Sequence, residues 1–473
     1  MKSKKKEIFR RLLISAIAVL LCLTAIQIGA YGSGAYAKND SNEFLKADAL
    51  TSYDMVIIAP NSFSNALQPL IQHKNDHDVS CFLQTTETIY SEHNGRDDAE
   101  SIKLFIKDAI ETYGVQYVLL AGGHKGQFFK WYVPVRIVHL ADGARYTEYV
   151  SDFYYADVYR NNGSEFEDWN SNGDNVIAEW GKDTFDLIPD VYVGRLPCRN
   201  VGEVETIVDK IIGYENTASG QSWFNNFIVA GGDTVPNAGD PFPYEGEVLC
   251  EKAVEYMGDF KVTKLYTSDS SLTDHSDFLN EFNQGCGFAL YSGRAGPSSL
   301  LTFDAYGAPI TPLHSKHLDQ LTNTDSYPVF IINGCLSGKF DVTILNFIKL
   351  ILNQPNIQAS DVAWDCIGWD MVKQENGGAI ASIAPTSQCW VGLGDTDNDQ
   401  IPDMIEIASG FLSLEFLRVY ADENIDILGE VHSKAIENYV HVFPVHSSKV
   451  DCKTIQEYGL LGDPSLKIGG YSN

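Results

Sequence analysis

From Ser52 onward, short apolar runs alternate with stretches of helical period, and this alternation constrains the fold more than any other feature. DMVIIAP, VSCFLQTT, QYVLLAGG, VPVRIVHL and DVYVGRLP read as strands, with helices expected over Ala66–His77, Ala99–Tyr113 and Val201–Asn216. The polar stretch TASGQSW, Thr217–Trp223, reads as a linker. Beyond it the rhythm restarts with NFIVAGGDT, FKVTKLY, GFALYSG, YPVFIING and GAIASIAP, and with helices expected over Glu245–Met257, Ser360–Gln374 and Val431–Val440. Strands separated by helices are buried on both faces of a mostly parallel sheet, so the expected class is α/β. We read two α/β lobes of one unit, residues 38–220 and 221–473, with no internal repeats.

The first 37 residues read as an export signal: basic from Lys2 to Arg11, apolar from Leu12 to Ala30, and ending in Ala35-Tyr36-Ala37. A secreted or surface location follows. The alternative is an uncleaved anchor, because about nineteen mostly apolar residues nearly span a bilayer, and membrane contact is expected only through that segment. A net charge of −29 argues against nucleic acid as a partner and suits a solvated exterior or multivalent cations. Nine cysteines occur without a CxxC pair, which excludes the usual metal-thiolate pattern. Cys81, Cys250 and Cys286 lie in apolar contexts where a buried free thiol is the ordinary reading.

Two strand-like runs end in chemically loaded turns: FALYSGRAG, carrying Arg294, and YPVFIINGCLSGKFD, carrying Cys335. Strand ends are where open α/β sheets place reacting groups, which makes Cys335 a candidate nucleophile. KHLDQLTNTDSYPVFIINGCLSGKF resembles the segment around the catalytic cysteine of the gingipain family of cysteine peptidases. IPDVYVGRLPCRNVGEVETIVDKIIGYENT is similar to that family's lobe-joining signature, NGGAIASIAPTSQCW to the strand after the catalytic helix, and YGLLGDPSLKIGG to its closing strand.

The resemblance implies a two-lobed catalytic unit with a caspase-like second lobe and an exported, calcium-stabilised peptidase acting on peptide or protein, without an organic cofactor. It makes Cys335 the nucleophile and sets Arg294 where the family has its base, in Gly293-Arg294-Ala295 instead of Gly-His-Gly. It puts the oxyanion N–H groups on Cys335 and Ala295, the orienting carboxylate near Asp233, and the acidic S1 residue at Asp240 or Glu245, with basic P1 residues preferred. Guanidinium accepts no thiol proton, but its charge favours a thiolate. Asp233 is expected to pair with Arg294 as a buried salt bridge. His314 and His317 read as helix or surface residues, and His124, after a first-lobe strand, is the candidate for a relocated base. Two readings stay open: an endopeptidase weakened by loss of its base, and a pseudopeptidase that binds peptide segments without cleaving them.

Two loops carry calcium-type spacing. DWNSNGDNVIAE places Asp168, Asn170, Asn172, Asp174 and Glu179 around Gly173, in the pattern of oxygen ligands and sharp reversal that a hard divalent cation requires. DTDNDQIPDMIE supplies Asp395, Asp397, Asp399, Asp403 and Glu406, with Gln400 where the first loop has glycine. The first is the stronger metal signal, and a solvated Asx-rich turn is the alternative for both.

Overall fold

Strand β1 (Met55–Ala59, MVIIA) is buried at every position, as a central strand covered on both faces must be. It opens a series described over residues 52–140, 148–161, 163–236, 242–354 and 357–472 of the computed structural model. The export-signal residues and Asp240 lie outside these. After β1 come α1 (Ser64–Asp76), β2 (Cys81–Thr85), α2 (Asp98–Tyr113), β3 (Tyr117–Ala121), β4 (Tyr192–Leu196) and α3 (Val201–Thr217). The second half runs β5 (Asn226–Gly231), α4 (Glu245–Tyr256), β6 (Lys261–Tyr266), α5 (His275–Phe282), β7 (Phe288–Ser292), β8 (Val329–Asn333) and β9 (Ala381–Pro385). It closes with α6 (Ala408–Glu423), α7 (Leu428–Val442), α8 (Lys449–Glu457) and β10 (Tyr458–Leu461).

All ten strands join one sheet in the order β6-β5-β7-β8-β9-β10-β4-β3-β1-β2. Every pairing is parallel except β9 with β10, so strand direction reverses once, inside the sheet. The carboxyl ends of the first-lobe strands therefore face the opposite sheet edge from those of β5, β7 and β8. Among the described residues no helix is long and apolar enough to cross a membrane.

Three elements differ from the sequence reading. The run VPVRIVHL yields Arg136–His139, which leaves the main sheet and pairs in a hairpin with Glu148–Ser151; its alternating burial leaves one face solvated. The helix expected over Ser360–Gln374 is confined to Ile367–Val372, because Asp365 is drawn into a buried ion pair with Arg199 and Cys366 is extended. Helix α6 was not anticipated. It is buried over most of its circumference and so lacks the apolar stripe that marks a surface helix.

One buried polar residue ties the second lobe together. Asn333, the last residue of β8, donates from Nδ2 to Ser292 Oγ at 3.2 Å. Its Oδ1 accepts from Ser409 Oγ at 2.9 Å and from the Tyr458 hydroxyl at 3.1 Å. All four side chains are buried, so their polar atoms must find partners inside the protein, and Asn333 serves the other three. Asn333→Leu is therefore expected to lower unfolding free energy by about 1–3 kcal/mol for each group left unpaired, read from denaturant melts. A loss within about 0.5 kcal/mol, ordinary for a surface change, would contradict the role.

Candidate active site

Register assembles the site. Gly231, Ser292 and Asn333 are paired across β5, β7 and β8, so the residues two beyond each, Asp233, Arg294 and Cys335, leave the sheet at one level. The chain passes from β5 to β6 on one side and to β7 on the other, and such a switch point opens a crevice at the carboxyl edge. Glycines let the backbones close on one another there. A Cβ on Gly334 would meet Ala295 Cβ at 2.8 Å, and one on Gly246, at the start of α4, would meet Ser292 O at 2.4 Å. The turns carrying Arg294 and Cys335 are thus in contact.

Arg294 begins a small antiparallel sheet (Arg294–Gly296, Ser299–Phe303, Pro309–Ile310). Its Nε donates to the Thr234 carbonyl at 2.7 Å, while the residue stays exposed. The expectation of a buried salt bridge with Asp233 is corrected in one respect: the Arg294 side chain lies at the surface, so whatever it pairs with is not a buried ion pair. Asp233 is pinned by its backbone, which exchanges hydrogen bonds with Phe303 at 3.2 and 3.1 Å. Glu245 lies 2 % exposed, and its Oε2 accepts the Thr234 N–H at 2.8 Å. It is a buried carboxylate under the same turn that holds Arg294, not a solvated loop residue. Ala295 is not among the residues with positive φ, so its replacement of glycine costs no strain.

Cys335 is followed by Leu336 at φ +63, a left-handed conformation that a branched side chain adopts only under constraint. The constraint is visible. Leu336 N–H donates to Ser387 O at 2.8 Å and Gly338 N–H to Pro385 O at 2.9 Å, lashing the turn to the end of β9. The loop beyond Ser387 brings Cys389 alongside, with its Sγ 3.6 Å from Cys335 Sγ. The hydrogen bond from the Cys389 thiol draws the Cys335 thiol down to about 6 against the cost of burial, helped by hydrogen bonding with the Cys389 backbone and by the charge of Lys453; when protonated, Cys335 Sγ donates to the Cys389 carbonyl at 3.6 Å. The same bond, with burial, pushes Cys389 well up, so the pair shares one proton. Lys453 is buried, ion-paired with Glu457 at 2.8 Å, and donates to the Gln388 carbonyl beside Cys389.

The histidines lie elsewhere. His124 leaves β3 at the opposite sheet edge, stacks on Trp131 at 3.7 Å, and meets the Asp341 carbonyl at 3.2 Å through Nε2. Its Nδ1 has no partner, and burial, then Arg199, lowers its pKa to about 4. Neither ring nitrogen bonds Cys335. His314 caps a short helical turn, accepting the Lys316 N–H, and His317 stacks on His275 at 3.7 Å. Cys389 was missed from sequence because it sits in no motif; the available signal was a second cysteine just past a strand end, in a block already resembling the family.

The calcium-type loops differ from their ranking by spacing. In the first, Asp168 pairs with Arg96 at 3.1 Å and Glu179 with Lys182 at 2.5 Å. Asn170, Asn172 and Asp174 turn their side-chain oxygens onto nearby backbone N–H groups. Among the described residues the carboxylates gather instead in the second loop, as Asp395, Asp397 and Asp403 and as Asp397, Asp399 and Glu406. Burial, then the charges of Asp399, Asp397, Asp403 and Asp395, raises the Glu406 carboxyl. The loop is clamped where Asp403 N–H donates to Gly394 O at 2.8 Å and Val391 bridges Ala408, close after Cys389.

Comparison with known proteins agrees with this geometry. Gingipain R2 of Porphyromonas gingivalis is 23% identical over 305 residues, 63% of this chain and 34% of that protein, so the chain spans about a third of its length. Lys-gingipain of the same organism is 26% identical over 166 residues, 33% of this chain and 8% of that protein. The crystal structure of the Arg-specific cysteine proteinase gingipain R superposes with a TM-score of 0.60 at 18% identity, covering 88% of this chain and 78% of that one. The complex of Porphyromonas gingivalis RgpB pro- and mature domains gives 0.59 at 19%, covering 88% and 79%. At such identity the likeness is one of fold, and it is the α/β unit expected from the sequence, a large mostly parallel sheet flanked by helices. The profile of peptidase family C25 matches residues 48–469, which takes in all three strand ends, the Cys335 turn and β10, and the chain belongs to that family.

Proposed function

We propose that this protein is an exported thiol endopeptidase in which Cys335 attacks the peptide carbonyl. The observation that carries the reading is the placement of Cys335 just past the end of β8, on a turn held by Leu336 in the left-handed region, with Cys389 Sγ 3.6 Å away; the lowered thiol pKa supports it. A thiolate already formed needs no base to attack. The N–H groups of Cys335 and Ala295 receive the oxyanion, the two turns being in contact. Cys389, which keeps its proton 3.6 Å from the Cys335 sulfur, is the group we assign to protonate the leaving amine. Glu245, a carboxylate beneath the Arg294 turn, supports a preference for basic P1 residues, and by family resemblance Asp233 is assigned the role of orienting carboxylate.

The second reading, a pseudopeptidase that binds peptide segments without turnover, is favoured by one observation. Among the described residues no histidine nitrogen hydrogen-bonds Cys335, and Arg294 holds no lone pair for a proton. Fluorogenic Arg-, Lys- and neutral P1 peptides separate the two. The endopeptidase reading expects cleavage by the native protein, none by Cys335→Ala, and a gain of at least about a hundredfold in Arg294→His, the usual worth of a positioned acid–base group. No cleavage by the native protein, with cleavage by Arg294→His, would establish the pseudopeptidase.

The thiolate claim has its own pH signature. A lowered thiol pKa means that alkylation of Cys335 by chloroacetamide is fast at neutral pH and falls as pH drops through about 6. In Cys389→Ala the midpoint is expected to climb toward the ordinary thiol value of about 8.5. Equal midpoints in both proteins would contradict the assignment.

We further propose that the second acidic loop binds calcium, because a divalent cation relieves the repulsion gathered at Glu406. Millimolar calcium is then expected to raise Tm, and Asp397→Asn, which alters the residue shared by both carboxylate groups, to remove the shift. Asp174→Asn, in the first loop, leaves it intact. A shift lost in Asp174→Asn and kept in Asp397→Asn would return the site to the first loop.

A further inference from the structure

Cys335 and Cys389 differ from every other free cysteine among the described residues. Cys81, Cys198, Cys250, Cys286, Cys366 and Cys452 are buried, and burial pushes each of their thiols up. Protonated and shielded thiols of that kind are inert. Cys335 and Cys389 are mostly covered but, unlike those six, not fully buried, and they face each other with 3.6 Å between sulfurs. Disulfide formation needs Sγ atoms about 2.05 Å apart, so the sulfurs have further to close, and the proposal requires the side chains to turn toward each other.

The surroundings hold the sulfurs together without a bond between them. The turn of Cys335 is tied to Pro385 and Ser387 by backbone hydrogen bonds. The other flank of Cys389 is fixed through Ser409, whose hydroxyl lies 2.7 Å from Trp390 O and 2.9 Å from Asn333 Oδ1 and shares its one proton between them. The segment carrying Cys389 and the strand carrying Cys335 therefore meet at the same buried asparagine. This pairing also meets the requirements of redox-sensing thiols: one low-pKa, accessible sulfur with a resolving thiol beside it.

We propose that Cys335 and Cys389 form a dithiol oxidation site, in which a hydroperoxide oxidises Cys335 and Cys389 resolves the product to an intramolecular disulfide. In the first step the Cys335 thiolate attacks hydrogen peroxide. An S–O bond forms, the O–O bond breaks, and hydroxide leaves as the sulfur is oxidised by two electrons to a sulfenic acid. In the second, Cys389 sulfur displaces the sulfenic oxygen; the S–S bond forms, and the hydroxyl departs with the Cys389 proton as water. A low-molecular-weight thiol, used twice, reopens the bridge and leaves as its own disulfide. The bridge blocks the nucleophile and keeps it from irreversible oxidation to the sulfinic acid. The proposal rests on the reading of Cys335 as a reactive thiolate but not on peptide turnover.

The test is graded hydrogen peroxide on the full chain, followed by denaturing alkylation and peptide mass mapping, beside Cys389→Ala. Wild-type protein is expected to lose two alkylatable thiols together, to yield a linked peptide joining Cys335 to Cys389, and to regain both thiols in dithiothreitol. Run at about pH 9.5, where Cys335 is ionised in both proteins, Cys389→Ala is expected to lose one thiol, to form a dimedone adduct at Cys335, and to proceed to the sulfinic acid under peroxide that the wild type survives. If no linked peptide forms and Cys335 reaches the sulfinic acid equally fast in both proteins, the proposal is overturned. A linked peptide in a chain that, once reduced, cleaves no peptide would bear out the dithiol site and contradict the peptidase reading alone.

Discussion

The constraint on which the rest depends is the register of three parallel strands. Gly231, Ser292 and Asn333 stand opposite one another across β5, β7 and β8, and two residues later each strand delivers a side chain to the same edge. A slip of one residue in any pair would exchange the faces of that strand and bury the wrong side chain. Two features hold the register. Backbone approach at Gly334 and Gly246 leaves no room for a Cβ, and Asn333 spends both ends of its amide on Ser292, Ser409 and Tyr458. The same asparagine thus aligns the nucleophile strand, the Arg294 strand and the helix α6 that follows the acidic loop.

What the site does chemically follows from which proton sources come within reach. Arg294 is spent on a backbone carbonyl and stays solvated, and His124 sits stacked and neutral at the other edge of the sheet. That leaves the thiol pair. A sulfur–sulfur hydrogen bond acidifies one thiol at the expense of the other, so the acidity of Cys335 comes from a neighbour of its own kind instead of a base. Lys453, buried under the Cys389 loop with Glu457, adds a fixed positive charge on the same side. The acidic loop closes this assembly, its clamp at Val391 and Ala408 lying next to Trp390 and Ser409.

Much of the fold was legible because parallel strands buried on both faces leave continuous apolar runs, as in MVIIA, FALYS and VFIIN. Cys335 and Arg294 could be found because both sit at ends of such runs. What could not be read depends on partners remote in sequence. Asp168 belongs to a metal-like spacing but is claimed by Arg96, 72 residues earlier, while the less regular loop is the one whose carboxylates converge. Asp365 interrupts a helix for Arg199, 166 residues away, and α6 hides because burial on nearly all sides removes its stripe. Cys389 was one cysteine among nine until the fold set it against Cys335 across 54 residues.

The central claim is that Cys335 is a nucleophile poised at the edge where β5, β7 and β8 end. A crystal structure of the protein reacted with an arginyl chloromethyl ketone peptide tests it most directly. The account predicts a thioether on Cys335 Sγ, the ketone oxygen directed at the N–H groups of Cys335 and Ala295, and the basic side chain toward Glu245. Reaction at Cys389 with Cys335 untouched, or no adduct at pH 7 where a thiolate is predicted, would contradict it.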